Sequence, residues 1–308
     1  MISNPAYIAV DWGTSSFRLW LMAEDDSVLA ERRSDEGMTT AARLGFADVL
    51  DAHLSAIGAP DELPVIICGM AGARQGWVEA GYVDVPCPLS DVLKGAISVP
   101  GVTRDIRILP GLAQRGGTPD VMRGEETQLL GALATIGDAD SLACLPGTHS
   151  KWVHVTHRGL TAFSTFMTGE LFEVISKHSI LAHAVVGAGG VDPAEFDAAV
   201  ATAYRQPALA TNLLFGVRAA QLLQGLSPEA AEARLSGTLL GVEIAGAGSL
   251  VRPGTTITLI ASGRLQAIYE TAFQRLGLAY VTIDAEEAVR RGLSAAARSL
   301  WPPVPESP

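Results

Sequence analysis

The chain holds 308 residues, 48% of them hydrophobic and 18% charged, with a formal net charge of −11. That length suffices for two domains with real cores, and the acidic balance argues against a nucleic-acid partner. No apolar run approaches the ~18 residues of a membrane span, and Cys68, Cys87 and Cys144 form no Cys-x-x-Cys pair. Met1-Ile-Ser-Asn-Pro-Ala6 has neither the basic nor the apolar segment of an export signal. The expected setting is cytoplasmic and reducing, without a membrane partner, with the thiols as small buried hydrophobes.

Strand-like runs come first, at 7–11, 17–22 and 28–33, followed by a helical pattern over 46–57 and buried strands at 65–68 and 106–109. A helix over 125–136 separates these from a second series. Strands are expected there at 142–145, 151–156 and 160–164, a helix at 170–178, then a strand at 256–261 and a helix at 264–276. A strand at 280–283 and a helix at 285–299 end the pattern. The same order of elements thus occurs twice, the second time with an all-helical insertion over about 192–246. The expected fold is α/β, two domains around a central cleft, divided between 138 and 139. The tail, 301–308, is expected to be disordered and without function.

Two stretches carry chemistry. In Ile8-Ala-Val-Asp-Trp-Gly-Thr-Ser-Ser16 an apolar strand ends in an acid, turns through small residues and returns along 17–22. Such a hairpin aims backbone N–H groups and hydroxyls at one point, as terminal phosphates require. Gly13 permits close approach, Thr14 and Ser15 offer hydroxyls, and Asp11 suits a hydrated Mg²⁺. An ordinary turn has the same pattern. Cys144-Leu-Pro-Gly-Thr-His-Ser-Lys-Trp-Val-His154 repeats it, with Gly147, Thr148 and Ser150 in the turn and Lys151 as a point charge for a phosphate. One such hairpin per half would grip a triphosphate from opposite sides of a cleft. Between them, Glu125 and Glu126 open a helix. Acids there either answer the helix dipole or present a carboxylate that takes a proton from a hydroxyl. Trp12, Trp77 and Trp152 read as packing, His149 and His154 as structural, and no histidine has metal-ligand spacing.

These residues resemble the 2-dehydro-3-deoxygalactonokinase family of the actin-like ATPase superfamily, whose core is ribonuclease H-like. The resemblance rests on Val10-Asp-Trp-Gly-Thr14, Gly69-Met-Ala-Gly-Ala-Arg-Gln-Gly-Trp77 and Arg123-Gly-Glu-Glu-Thr127, with Pro146-Gly-Thr-His-Ser-Lys-Trp152 and Thr165-Phe-Met-Thr-Gly-Glu-Leu-Phe172. It covers nearly the whole chain. Three positions depart from or dilute the pattern: Pro146 stands where most of the superfamily has an acid, Ala73 where the family is expected to have Ser, and the adenosine region is marked only by Ala261-Ser-Gly-Arg264.

The resemblance implies ATP- and Mg²⁺-dependent phosphorylation of the C6 hydroxyl of 2-dehydro-3-deoxy-D-galactonate. It also implies roles. Asp11 organises the metal. Gly13, Thr14, Ser15, Gly147 and Thr148 cradle phosphates, with Ser262 and Gly263 near the adenosine. Glu125, with Glu126 close behind, is the base, and Lys151 neutralises charge during transfer. A sugar acid calls for a guanidinium, and Arg74 is the candidate, with Thr168, Gly169 and Glu170 at the sugar hydroxyls. The last three also fit a plain helix start. The partners are the sugar acid and ATP, and a homodimer is left open. The competing readings are an exopolyphosphatase-like phosphohydrolase and a non-enzymatic, nucleotide-switched protein of the actin kind.

Overall fold

The computed structural model describes residues 4–136, 141–156, 159–190, 192–248 and 254–302. The expected division at 138/139 and the tail from 303 onward lie outside these. Strands β1 (Pro5–Trp12), β2 (Phe17–Ala23) and β3 (Val28–Ser34) form an antiparallel meander. Helices α1 (Met38–Leu44) and α2 (Phe46–Ala56) lead to β4 (Val65–Gly69), parallel to β1. Next come β5 (Tyr82–Asp84), α3 (Ser90–Lys94), β6 (Ile97–Ser98), β7 (Ile106–Ile108), β8 (Gly111–Gln114), β9 (Asp120–Met122) and α4 (Glu125–Ile136). The main sheet runs β3-β2-β1-β4-β7-β6, and β5-β8-β9 form a small sheet of their own.

The series restarts with β10 (Ser141–Leu145), β11 (Ser150–Thr156), β12 (Gly159–Phe166), α5 (Thr168–His178) and α6 (Ala182–Val185). The helical insertion holds α7 (Pro193–Arg205), α8 (Ala210–Gln224) and α9 (Pro228–Ala247). The chain ends with β13 (Ile257–Ala261), α10 (Gly263–Leu276), β14 (Tyr280–Asp284) and α11 (Ala285–Leu300). This sheet runs β12-β11-β10-β13-β14, with β10 antiparallel to β11 and parallel to β13. In both sheets the third, second, first and fourth strands of a series therefore lie side by side in that order. This is the duplicated, actin-like arrangement.

Internal contacts divide the chain into two units. One comprises Met1–Ala139, Thr156–Ala162 and Asp284–Pro308, the other Asp140–Val155 and Phe163–Ile283. Helix α11, counted with the C-terminal half by sequence, packs within the first unit. Its apolar stripe of Val289, Leu293, Ala296 and Ala297 covers Tyr7, Ala9, Ile66 and Cys68 on one face of the main sheet. Alternation along β1 sends Ile8, Val10 and Trp12 to the other face, against Val49, Leu50 and Leu54 of α2. Helix α4 meets α11 backbone to backbone. A Cβ on Gly131 would lie 1.9 Å from the Ala288 carbonyl oxygen, and one on Gly292 2.0 Å from that of Thr127. In the second unit, α7, α9 and α10 cover one sheet face through Phe196, Val200, Leu240, Ile244 and Phe273. Cys68, Cys87 and Cys144 are free and buried.

Candidate functional site

In the first unit the site grows from the carboxyl ends of β1 and β4. Asp11 stands half-buried at the end of β1, paired across the ladder with Arg18, and the Cys68 thiol donates to it at 3.8 Å. Burial pushes the Asp11 carboxyl above its usual range, Arg18 opposes this, and the charge of Glu125 adds to it. The turn that follows closes when Gly13 N–H donates to Ser16 O at 2.9 Å, leaving Thr14, Ser15 and Ser16 exposed. It is gripped from behind by the chain entering α1, where Met38 N–H donates to Gly13 O (2.9 Å) and Thr39 N–H to Thr14 O (3.1 Å). Only glycine fits at 37, because a Cβ there would lie 2.5 Å from the Ser15 and Ser16 nitrogens. Trp12 Nε1 donates to Glu36 O at 3.1 Å, and buried His53 holds the Glu36 carboxylate at 2.8 Å.

Beyond β4, Gly69 takes a φ of 89°, and a Cβ there would fall 2.6 Å from Trp12 O. This close approach sets the chain after β4 against the end of β1, beside the entry to α4. The two acids of that helix start have different surroundings. Glu125 is half-buried and accepts the Arg123 N–H at 3.1 Å. Glu126 is 0% exposed. Its two oxygens accept the Gly124 N–H at 2.9 and 2.7 Å, and Thr127 Oγ1 donates at 3.2 Å. Burial, reinforced by the charge of Glu125, raises Glu126 to about 8. That shift favours the protonated form at neutral pH, and the side chain is sealed from solvent. This separates two acids that the sequence ranked only narrowly, Glu125 ahead of Glu126. Arg74 lies on the loop after β4 with its side chain 81% exposed, and its guanidinium meets Glu79 at 3.5 Å.

The second hairpin lies in the other unit. Gly147 and Thr148 line a pocket of about 300 Å³ with Thr168, Gly169, Arg264 and Tyr269. Its remaining walls are mostly apolar side chains of α5, α9 and α10, among them Phe172, Leu240 and Ile268. Thr168, Gly169 and Glu170, assigned by sequence to the sugar, lie against this hairpin. Glu170 N–H donates to Thr148 O at 3.0 Å, and a Cβ on Gly169 would come within 2.5 Å of Gly147 O. Glu170 also holds His149 at 2.5 Å. Two expected phosphate ligands turn inward. Lys151 is 4% exposed with its ammonium on the His149 carbonyl at 2.9 Å, and buried Ser150 meets the Tyr269 hydroxyl at 2.8 Å. Ser262 precedes α10, which Gly263 opens with a φ of 59°.

Sequence reasoning missed Glu243, on α9, and Tyr269, on α10. Glu243 was detectable as the lone charge in the run Leu239-Leu-Gly-Val-Glu-Ile-Ala-Gly246. A charge in so apolar a helix has to be paired or hydrogen-bonded once buried. Among the described residues no group of three or more His, Cys, Asp or Glu could hold a metal, and no helix is long and apolar enough to cross a membrane.

The sequence pattern of the family described as 2-keto-3-deoxy-galactonokinase matches residues 11–296. A protein of Rhizobium meliloti (strain 1021) assigned as a 2-dehydro-3-deoxygalactonokinase is 58% identical over 301 residues, 96% of this chain and 98% of the relative. The 2-dehydro-3-deoxygalactonokinase of Escherichia coli (strain K12) is 36% identical over 299 residues, again 96% of this chain and 98% of the relative. A crystal structure of a protein from Sinorhizobium meliloti, with the same assignment, superposes with a TM-score of 0.93 at 59% identity. It covers 96% of this chain and 100% of that one.

Proposed function

The chain belongs to the 2-keto-3-deoxy-galactonokinase family, and we propose that it transfers the γ-phosphoryl group of ATP to the C6 hydroxyl of 2-dehydro-3-deoxy-D-galactonate. The product is 2-dehydro-3-deoxy-6-phospho-D-galactonate, and the activity is that of a phosphotransferase with an alcohol acceptor. The observation that carries the assignment of roles is the contrast at the start of α4. Glu125 is half-exposed and acts on Asp11 by its charge, whereas Glu126 is sealed and protonated.

Glu125 is the base. It takes the C6 hydroxyl proton as that oxygen bonds to the γ-phosphorus and the bond to ADP breaks. The turn at Gly13, Thr14 and Ser15 and the turn at Gly147 and Thr148 supply backbone and hydroxyl donors to the phosphates. The mostly apolar pocket beside Gly147 takes the nucleoside, and Ser262 and Gly263 directly precede Arg264 of its lining. Thr168, Gly169 and Glu170 accordingly serve the nucleotide side. Arg74, exposed and only loosely held by Glu79, reads the sugar-acid carboxylate through its bidentate fork. Lys151 and Glu126 leave the catalytic set because both are buried.

Mg²⁺ fits the donor set present. It is bound through one or two carboxylates together with substrate phosphates rather than by an all-protein cage. Asp11, destabilised as an anion by burial and by Glu125, gains from a cation carried in with the nucleotide. When bound, Mg²⁺ neutralises charge on the phosphoryl group.

The test is ADP release from ATP across a panel of sugar acids, with mass analysis of the product. Release only with 2-dehydro-3-deoxygalactonate is expected. Equal release without any sugar acid would replace the kinase by a phosphohydrolase.

A further inference from the structure

A buried carboxylate lies behind the second hairpin, and nothing in the reaction uses it directly. Glu243 is 1% exposed on α9, beside buried Leu239, Leu240, Ile244 and Ala247. Its Oε1 accepts Trp152 Nε1–H at 2.8 Å, and the Tyr269 hydroxyl lies 2.9 Å from both of its oxygens. The Thr168 hydroxyl also bonds to it. Ser150 completes the set through Tyr269, 2.8 Å away.

These donors are not scattered. Ser150 and Trp152 are on β11, directly after the Gly147-Thr148 turn. Thr168 opens α5, whose next two residues press on Gly147 and bond Thr148. Tyr269 lies on α10 and, like Thr168, lines the 300 Å³ pocket. One carboxylate thus ties β11, α5 and α10 to the insertion helix α9, and every tie leads to a pocket wall or to the hairpin. A fold needing only an apolar core at this point would be served as well or better by a hydrophobic residue, since buried charge is costly even when paired. Burial raises the carboxyl, and the bonds from Thr168, Trp152 and Tyr269 act against that rise.

We propose that Glu243 is a positioning residue that fixes the second hairpin and the adjoining pocket, so that nucleotide affinity depends on it and sugar-acid affinity does not. The proposal rests on the kinase reading given above, in which that pocket takes the nucleoside.

The test uses the full chain with Glu243→Gln and, separately, Tyr269→Phe. Gln keeps the shape but carries no charge, so the bonds from Trp152, Tyr269 and Thr168 are no longer charge-assisted. Calorimetry with a non-hydrolysable ATP analogue should show affinity weakened about tenfold in E243Q, the scale of one lost charge-assisted hydrogen bond. Tyr269→Phe should weaken it about threefold, since one donor goes and the carboxylate keeps its others. KM for ATP should follow in both, with KM for the sugar acid held within about twofold. A residue that only stabilises the fold would lower Tm and the active fraction while leaving both KM values alone. Unchanged nucleotide affinity in the two variants, or a parallel rise of both KM values, overturns the proposal. Should E243Q not fold, Tyr269→Phe decides it. Failure of the wild-type chain to bind the nucleotide would instead sink the kinase reading, a separate outcome.

Discussion

The two hairpins share one topology and are held in different ways. The first ends its strand in Asp11 and is gripped by backbone bonds from Met38 and Thr39, with Gly37 packed under its tip. The second is preceded by Leu145 and Pro146, so no acid faces forward from it. Its carboxylate lies behind, as Glu243, and its clamp is Gly169 at the start of α5. The forward acid stands at a strand end beside an exposed turn, whereas the acid behind is sealed among side chains that shape the hairpin. A duplicated fold therefore does not imply duplicated chemistry. The first unit carries the carboxylates proposed to move a proton and attract a cation, and the second carries a pocket of mostly apolar walls.

The sharpest way to break this division is at α4. Glu125→Gln should lower kcat by ~10²–10⁴, the usual contribution of a general base, with KM for ATP near normal. Glu126→Gln should keep kcat within about fivefold, because a sealed, protonated acid already resembles an amide in charge. Steady-state kinetics of the pair decide it. Equal losses in both variants would mean that the helix start acts as a unit and that burial does not separate the roles.

Next in size are the glycine clamps. Gly37→Ala and Gly169→Ala each place a methyl 2.5 Å from backbone atoms of a hairpin. Neither backbone can yield cheaply, and overpacking of this kind costs about 1–3 kcal/mol. Both variants should raise KM for ATP about tenfold or more if each turn binds the phosphate tail. A rise in only one would show that a single hairpin does the binding, and the symmetric picture would fall.

Much of this was legible in the chain, for a physical reason. Both hairpins are local: strand, small-residue turn and returning strand fall within Pro5–Ala23 and within Ser141–Thr156, and alternation marks them. The buried runs Val65–Gly69 and Ile257–Ala261 are equally plain. Elements of two to five residues, such as β6, β5 and α3, are too short to show a period and were missed. The placement of α11 was hidden because its partners, Tyr7 and Cys68, are more than 200 positions away in sequence. At the site, residue type was readable and orientation was not. Lys151 and Ser150 sit in a motif that suggests phosphate contact, yet both face inward. Glu126 differs from Glu125 only in the face of the helix that it occupies.

The smallest expected effect concerns the acid sealed behind the first unit's site. In the unfolded chain Glu126 titrates near 4.5, whereas in the folded protein it holds its proton to about 8. Between those values the folded state binds one proton more than the unfolded state, so unfolding releases a proton and rising pH favours it. Below 4.5 both states are protonated and the contribution is constant. Above 8 both are ionised, and the full penalty of a buried charge is felt. Stability should therefore decline from pH 5 to pH 8, read as a Tm falling by several degrees in calorimetry. Glu126→Gln should flatten that slope, since the amide has no proton to lose. Glu243→Gln should also lessen the slope, because burial raises that carboxyl too and outweighs the bonds from Thr168, Trp152 and Tyr269 that act against the rise. A slope that survives Glu126→Gln unchanged would place the titrating group elsewhere and remove the argument that Glu126 is neutral beside the proposed base, Glu125.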